Sequence, residues 1–314
     1  MASLAKWSLT IGGEAAEREV TFRLADLAKS FDQHEVTAVC QCSGNRRGLS
    51  QPHVAGVEWG FGAMGTAVWR GPRLKDVLDK AGVKPDAVEV WLNGADSPVL
   101  PTTPPFHKSL PTARAMADDV IIATSMNGKP LPHLNGFPAR LVVPGWTATY
   151  WMKHIQAIQI SPKPLDSFWI KTAYRVPAGM FPVDHPFPSQ DTATSWPITE
   201  IVVNSLVADP VGGSHRSAAG FSIEGVAWDR GHGIKQVEVS LDGGESWKRA
   251  ALGKDLGRFA FRSFRYDTGK IAPGTYMVSS RATSNAGETQ AGTLKFNPAG
   301  YHNNVPQMIP VTVA

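Results

Sequence analysis

Short β-strand patterns recur at close spacing in the last third of the chain, and they constrain the fold more than any other feature. The patterns cover residues 201–203, 221–223, 237–240, 247–250, 276–278 and 292–296. Turn signals separate them, as at Asp242-Gly243-Gly244, and such spacing is typical of a β-sandwich. Residues 196–314 are therefore predicted to form an all-β domain.

Residues 1–195 mix helix and strand patterns, and they predict a separate α+β domain. Helices are expected over residues 24–30 and 72–82, the second beginning at Pro72 and ending at Gly82. Strands are expected at residues 34–39, 88–92 and 120–123. A chain of 314 residues is long enough for two domains with separate cores.

The composition of the chain argues against nucleic-acid binding and against a membrane-spanning protein. The chain is 42% hydrophobic and 18% charged, which is ordinary for a globular protein. Its formal net charge of +4 comes without a basic run, so nucleic-acid binding is not indicated. Because no apolar run reaches about 18 residues, no membrane span is expected. The first eleven residues lack the apolar core and the cleavage pattern of a signal peptide.

The two cysteines of the chain, Cys40 and Cys42, lie where a predicted strand gives way to a loop. A thiolate at Cys42 would be a soft metal ligand or a nucleophile, and Arg46 and Arg47 would stabilise it or an anion beside it. The alternative is that the cysteines are inert buried residues, as cysteines often are, and Cys40 fits that interpretation well. Zinc is not expected, because no second cysteine pair completes four ligands.

The hairpin over residues 240–247 resembles the Asp-box of several unrelated β proteins. Asp242 can accept hydrogen bonds from its own turn, and Trp247 can pack beneath it. We expect a structural role for this hairpin.

The segment Cys42-Ser43-Gly44-Asn45-Arg46-Arg47 resembles the C-[AS]-G-N-R-R segment of the sulfite oxidase family of molybdenum enzymes. Supporting segments occur in order at residues 58–65, 69–74, 135–145 and 150–153. The resemblance runs along nearly the whole chain and is strongest to the bacterial sulfite dehydrogenases. It implies an α+β sulfite-oxidase-like molybdopterin domain in residues 1–195, followed by an immunoglobulin-like sandwich in residues 196–314 that forms a homodimer.

The resemblance also assigns site residues. Cys42 would be the one protein sulfur on the molybdenum, Arg47 would bind sulfite, and Tyr174 would be the second catalytic residue. The positions implied to bind the cofactor are Cys42 itself, Asp96, Asn135, Arg140, Thr149 and Lys153. Without the family, Arg47 reads as a surface salt bridge, Arg140 as an ion pair bracing a strand, and Tyr174 as a half-buried aromatic.

Three departures from the family pattern accompany the resemblance. Asn135 stands where vertebrate members have histidine, and Ala299 stands where they have a further pocket arginine. The family's upstream Arg-x-His segment does not precede the first strand, so we expect the chain to be truncated or to start at an internal methionine.

The implied reaction is the molybdenum-dependent oxidation of sulfite to sulfate, with one-electron transfer to a separate cytochrome c or similar carrier. The chain has no C-x-x-C-H segment, so no haem is expected on it. The resemblance implies a periplasmic enzyme. One alternative keeps the fold and reduces another oxyanion, as nitrate reductases do, or a sulfoxide. A second alternative is a non-catalytic β-rich binding protein in which Cys42 is merely buried, and a third is an inactive fragment that retains the cofactor.

Overall fold

A computed structural model describes residues 6–314, which divide into two compact units. The first unit contains the chain up to Val36, Cys40–Ser43 and Ala67–Glu200. The second unit contains Thr37–Val39, Gly44–Thr66 and Ile201–Ala314. The linear division at residue 195 stays a prediction. Sequence patterns did not indicate that residues 44–66 belong with the C-terminal part of the chain.

The regular elements are mostly short strands. Up to residue 197 the strands are β1 (Ser8–Gly12), β2 (Val20–Arg23), β3 (His34–Gln41), β4 (Met64–Gly71), β5 (Glu89–Gly94), β6 (His107–Pro111), β7 (Ile121–Ala123), β8 (Ser125–Met126), β9 (Lys129–Pro130), β10 (Arg140–Val142), β11 (Ile155–Ser161), β12 (Arg175–Pro177) and β13 (Ser195–Pro197). The helices are α1 (Leu24–Lys29), α2 (Leu74–Ala81), α3 (Thr112–Ala115) and α4 (Phe168–Lys171). Single 3-10 turns occur at Arg47–Leu49, His133–Asn135, Ala148–Tyr150 and Pro188–Gln190.

The first unit is built on a five-stranded sheet in the order β2-β1-β11-β5-β6. Strands β1 and β11 pair in parallel, and the other neighbours pair antiparallel. Alternation places Leu9 and Ile11 of β1 on one buried face. Helix α2 contributes a buried stripe and ends where Gly82 takes a φ of +74°. The helices expected at residues 24–30 and 72–82 are both present.

The second unit is an all-β sandwich. Its strands are β14 (Asn204–Asp209), β15 (Ser214–Arg216), β16 (Ser222–Trp228), β17 (Ile234–Ser240), β18 (Lys248–Arg249), β19 (Ala251–Leu252), β20 (Arg262–Asp267), β21 (Gly274–Ser284) and β22 (Ile309–Val313). They form one sheet in the order β14-β16-β20-β19 and another in the order β15-β22-β21-β17-β18. Both sheets contribute to one apolar core, which includes Ile223, Val237, Phe264 and Val278.

Two of the expected strands are wrong. Residues 201–203 are buried but lie outside any strand, and the side-chain amide of Asn304 donates to the carbonyl of Val203 at 3.1 Å. Burial had produced a strand-like pattern there, but a side chain supplies the hydrogen bond that a strand partner would give. Residues 292–296 are also irregular, and Phe296 is 42% exposed, so no continuous face is buried.

The hairpin over residues 240–247 has the hydrogen bonds of a self-contained turn. Asp242 accepts from the Ser240 hydroxyl at 2.6 Å and from the Ser246 amide at 2.9 Å. Hydrogen bonds from Ser240 and Ser246 hold the pKa of Asp242 well below its ordinary value. The Trp247 indole donates to the Gly244 carbonyl at 3.0 Å. These bonds agree with the expected structural role.

None of the helices within residues 6–314 combines the length and the apolar character that a membrane-crossing helix needs.

Candidate active site

Cys42 directly follows β3 and directly precedes the turn at residues 43–46. Neither Cys40 nor Cys42 is in a disulfide, and both are partly exposed. Burial raises the pKa of the Cys40 thiol, and this effect outweighs the opposing attraction of Arg140. The raised pKa favours the neutral thiol at Cys40, while Cys42 is the sulfur at the end of the strand, next to the turn that carries Arg46 and Arg47.

Arg140 begins β10, and its side chain is nearly enclosed. Nη1 donates to the Asn135 carbonyl and Nη2 to the Trp151 carbonyl, both at 3.1 Å, and Nη2 lies 3.9 Å from the Cys40 sulfur. The guanidinium carbon lies 5.1 Å from the ring centroid of Trp69 and 5.6 Å from that of Trp151. Arg140 therefore does not brace a strand through an ion pair, which was the alternative interpretation.

The Arg140 charge has no carboxylate to balance it in the part of the chain that the structure describes. Burial lowers the pKa of Arg140, because transfer from water disfavours the charged form. Its Nε atom is buried and has no hydrogen-bond partner among residues 6–314. A buried cation with a spare donor is suited to an anionic or oxygen-rich ligand.

A glycine brings Arg140 and Lys153 together. Gly136 has a φ of +101°, and a Cβ atom added there would lie 3.0 Å from the Arg140 Cβ and 3.1 Å from the Lys153 Cα. Only a residue without a side chain permits this close approach. The Asn135 carbonyl is the acceptor for Arg140, so three of the predicted cofactor-binding residues meet at this point of the first unit.

Asp96 joins the same group through the neighbouring loop. The Ala95 amide donates to the His154 carbonyl at 2.9 Å, which fixes the loop after β5 beside Lys153 and His154. The Asp96 carboxylate lies 3.9 Å from the His154 Nε2, while the His154 Nδ1 is 2.6 Å from the Phe137 carbonyl. Sequence reasoning missed His154, although it directly follows Lys153 in the segment that carries the resemblance.

Thr149 lies in the 3-10 turn Ala148–Tyr150 of the same unit. Its hydroxyl is 3.2 Å from that of Thr147 and is partly exposed. The neighbouring Tyr150 hydroxyl donates to the Ile198 carbonyl at 2.6 Å and is fully buried. Thr149 is therefore the residue of this turn that can offer a donor to a ligand.

Tyr174 adopts a left-handed backbone conformation, with a φ of 57°. Its ring lies 6.0 Å from the Trp169 ring and 6.4 Å from the Phe106 ring, between centroids. The Lys108 ammonium lies 5.3 Å from the Tyr174 ring centroid. Sequence reasoning did not select Lys108, because no strand was predicted over the residues that form β6.

Arg47 belongs to the second unit, where three glycines line its side chain. A Cβ atom at Gly44 or Gly56 would lie 2.7 Å from the guanidinium, and one at Gly300 would lie 2.8 Å from the Arg47 Cγ. Gly56 and Gly300 also have positive φ values of 119° and 62°. We call this arrangement the glycine slot, because a Cβ atom at any of these three positions would enter the space that the Arg47 side chain occupies.

Hydrogen bonds fix two of the three Arg47 nitrogens. Nε donates to the Ala299 carbonyl at 2.8 Å, and Nη1 is 3.4 Å from the Val57 carbonyl. Nη2 has no hydrogen bond to any residue between 6 and 314. The guanidinium also lies 5.2 Å from the Tyr301 ring centroid. Arg47 is not in a salt bridge with the described acidic residues, so it can present a free donor to an oxyanion.

Arg46 has a different environment, although it precedes Arg47 directly. It is fully buried and donates to the Ser205 carbonyl at 2.6 Å and to the Val305 carbonyl at 3.0 Å. Its guanidinium lies 4.9 Å from the Phe61 ring centroid. Burial lowers the pKa of Arg46 to about 9, so it still carries its charge at neutral pH. Arg46 is a structural residue of the second unit.

The donors of the first unit fit a molybdopterin better than a metal ion held by protein ligands alone. Within residues 6–314, no group of three or more histidine, cysteine, aspartate or glutamate side chains is placed to hold a metal. The unit instead offers the thiol of Cys42 at the end of β3, the cations Arg140 and Lys153, and a buried Ser43 hydroxyl that has no partner among residues 6–314. A single soft sulfur ligand with surrounding donors suits a metal whose other ligands come from an organic cofactor.

A cavity of about 360 Å³ lies elsewhere in the first unit and contains none of the predicted site residues. It is lined by prolines and aromatic rings, among them Phe181, Phe187 and Trp196, with Asp191 as its one charged side chain. Burial raises the pKa of Asp191, despite the attraction of Arg175. An apolar cavity with a carboxylate is poorly suited to an oxyanion.

Comparison with protein families agrees with this chemistry. Residues 1–169 match the oxidoreductase molybdopterin binding domain, and residues 195–306 match the Mo-co oxidoreductase dimerisation domain. The chain is similar to human mitochondrial sulfite oxidase, with 37% identity over 254 residues that make up 78% of this chain and 45% of that protein. It is also similar to the barley NADH nitrate reductase, with 28% identity over 98% of this chain and 36% of that protein.

Among solved structures, the chain is similar to the sulfane dehydrogenase SoxCD of Paracoccus pantotrophus. The TM-score is 0.83 and the identity is 27%, and the match covers 99% of this chain and 77% of that one. The chain spans less than half the length of the human and barley relatives. The match to the molybdopterin binding domain covers more than half of this chain, so the chain belongs to the sulfite oxidase family of molybdopterin-binding oxidoreductases.

Proposed function

We propose that this protein, with molybdopterin bound, oxidises sulfite to sulfate. The observation that carries the proposal is the Arg47 guanidinium, held in the glycine slot by two carbonyls while Nη2 stays free of protein partners. A permanently charged, planar donor in a fixed position is suited to a small oxyanion. Arg47 follows Cys42 by five residues along the chain, and Cys42 is the proposed molybdenum ligand.

The first unit would hold the cofactor. Cys42 would bind the metal, and Arg140 and Lys153 would bind the anionic and oxygen-rich parts of the organic ligand. Asp96, Asn135 and Thr149 would add hydrogen bonds from the surrounding loops. Bound molybdopterin supplies two-electron redox chemistry that the side chains of the site cannot provide.

The residues of the chain would bind and orient the substrate. Sulfite and water give sulfate, two protons and two electrons, so the site must accept one dianion and release another. Arg47 would neutralise part of the substrate charge and fix its orientation. Tyr174 would donate a hydrogen bond from its phenol to a substrate oxygen, and its aromatic neighbours Trp169 and Phe106 would keep the ring in place.

The two electrons would leave one at a time to a separate carrier such as a cytochrome c. We further propose that the protein is a homodimer and works in the periplasm. The dimer is supported by the match of residues 195–306 to the Mo-co oxidoreductase dimerisation domain. The carrier and the location are supported by the resemblance to bacterial sulfite dehydrogenases.

A second candidate substrate is sulfane sulfur. It is favoured by the similarity to a sulfane dehydrogenase over 99% of this chain.

The test is the rate of ferricyanide reduction per bound molybdenum, with sulfite or thiosulfate as the electron donor. Arg47→Gln should raise the KM for sulfite about 100-fold, because it removes a charge-assisted hydrogen bond. Arg249→Gln, an exposed arginine of β18, is the matched control and should leave the rate unchanged. Turnover with thiosulfate alone would favour the second candidate. A molybdenum-loaded protein that oxidises neither donor, or an Arg47→Gln variant with normal KM, would refute the proposal.

A further inference from the structure

Lys108 occupies an interior position that a strand normally gives to an apolar residue. It is the second residue of β6 and has no exposed surface. It is directly opposite Leu92 of β5, which is 1% exposed, so both side chains point to the same buried face. No acidic side chain among residues 6–314 forms an ion pair with it. An unpaired buried ammonium is costly and requires some other stabilising contact.

The contacts of Lys108 are one carbonyl and two aromatic rings. Nζ donates to the Trp169 carbonyl at 2.8 Å, lies 4.3 Å from the ring centroid of Tyr150, and lies 5.3 Å from that of Tyr174. Trp169 belongs to the four-residue helix α4, whose last carbonyls have no partner within the helix. The ammonium thus caps α4 and faces both tyrosine rings.

Capping alone does not account for a charged group at this position. A neutral donor would satisfy the Trp169 carbonyl without the free-energy cost of burying a charge. Contact with an aromatic face, in contrast, requires a cation, because the attraction comes from the charge and the ring quadrupole. Tyr150 is already fixed by its hydrogen bond to the Ile198 carbonyl. Tyr174 is the second ring that the ammonium faces, and its backbone is in the left-handed region.

We infer that Lys108 is a positioning residue for Tyr174, fixing the orientation of the ring and placing a positive charge beside the phenol. The inference rests on the proposed function, because Tyr174 contacts substrate only in that proposal. A buried charge at this distance is weakly screened, so it would attract an anion that binds at the phenol.

The charge of Lys108 is expected to change within the neutral range. Burial, with a smaller contribution from Arg175, lowers the pKa of Lys108 to about 7. Several other titratable or charged groups lie near Lys108. Those on β6 and on the elements packed against it are His107, Glu89, Arg114, Tyr150 and Lys171. Tyr174 and Arg175 follow α4 in the chain. Below about pH 7 we expect a cation 5.3 Å from the centroid of the Tyr174 ring, and above that pH we expect the charge to be lost.

The first experiment follows Tyr174 directly, without use of turnover. The full chain is labelled with ¹³C at the tyrosine Cζ, which gives five signals, and Tyr174→Phe identifies one of them. We expect the Tyr174 signal of the wild type to show an inflection near pH 7. Lys108→Met should remove the inflection, and Lys171→Met, an exposed lysine of α4 paired with Asp166, should retain it.

The second experiment measures kcat/KM for sulfite against pH in the same variants, per bound molybdenum. At pH 6 Lys108→Met should be about tenfold less active than the wild type, because it loses the attraction between one weakly screened positive charge and the anionic substrate. At pH 8.5, where Lys108 is neutral, the two should be nearly equal. A wild-type Tyr174 signal with no inflection, or an inflection that persists in Lys108→Met, would overturn the inference. If no variant oxidises sulfite but the inflection behaves as expected, the proposed substrate fails and the coupling of Lys108 to Tyr174 stands.

Discussion

The Nε of Arg47 donates a hydrogen bond to the backbone carbonyl of Ala299 at 2.8 Å. The resemblance to the family places a second arginine of the vertebrate members at position 299, where this chain has alanine. The backbone of Ala299 nevertheless fixes the arginine that remains. The orientation of Arg47 therefore depends on the backbone conformation at residues 299 and 300. The type of side chain at position 299 gives no information about that conformation.

Gly300→Ala should displace Arg47 and weaken sulfite binding. A Cβ atom at position 300 would lie 2.4 Å from the Val54 Cγ2 and 2.8 Å from the Arg47 Cγ, and its φ of 62° disfavours alanine. We expect the KM for sulfite to rise about tenfold and the free energy of unfolding to fall by about 1–3 kcal/mol. Gly292→Ala is the control, because nothing lies within 4 Å of a Cβ atom there. Equal kinetics for the two variants would show that the slot does not position Arg47.

Cys42→Ser should lose molybdenum, while Cys40→Ser should keep it. A hydroxyl is a poor ligand for a soft metal site. Cys40 instead faces Arg140, and serine can still accept its hydrogen bond. Metal analysis of protein made in a host that synthesises the cofactor should find less than about one tenth of the wild-type molybdenum in Cys42→Ser. Molybdenum loss in Cys40→Ser alone would reverse our assignment of the two thiols.

Lys108→Met should change how stability depends on pH. The pKa of Lys108 falls from an ordinary value of 10.5 to about 7 in the folded protein. Between those values the unfolded chain binds more protons, so the wild type gains stability as pH rises. The methionine variant lacks this gain. It should be more stable than the wild type by about 1–3 kcal/mol at pH 6, with a smaller advantage at pH 9. Urea unfolding at both pH values measures the difference, and a constant or widening gap contradicts the charge assignment.

Arg46→Met should destabilise the second unit without a direct effect on substrate binding. The substitution removes the donor to the buried carbonyl of Ser205 and to the partly buried carbonyl of Val305. We expect a loss of about 3 kcal/mol in the free energy of unfolding, against almost none for Arg249→Met on the surface of β18. Thermal and urea unfolding are the measurements. If Arg46→Met instead raised the KM for sulfite at full stability, Arg46 would belong to the substrate site.

Sequence patterns predicted the fold class and most of the elements. In the amphipathic helix α2 and in the alternating strands of the sandwich, the spacing of apolar residues within the segment itself indicates which face is buried. They were wrong at residues 201–203, where burial is real but Asn304 supplies the hydrogen bond. Short patterns cannot show whether the partner of a buried backbone is a strand or a side chain from elsewhere in the chain.

The candidate site shows the same limit. Arg46 and Arg47 are identical in type and adjacent, yet the φ of 68° at Arg46 turns one guanidinium into the interior and leaves the other in the glycine slot. Lys108 was missed because its burial depends on α4 and on the turn Ala148–Tyr150, which are 40 or more residues away in sequence. The order of charged residues along the chain does not predict contacts between segments that are so far apart in sequence.

The membership of residues 44–66 in the second unit determines which segments a chimera between family members must exchange. They belong to the same compact unit as residues 201–314, although more than 130 residues separate the two segments in the chain. A chimera that exchanges only the C-terminal segment with a relative would pair a foreign sandwich with the native Arg46, whose acceptors at Ser205 and Val305 belong to the exchanged part. The exchangeable module is thus discontinuous, and a successful swap must carry both segments together.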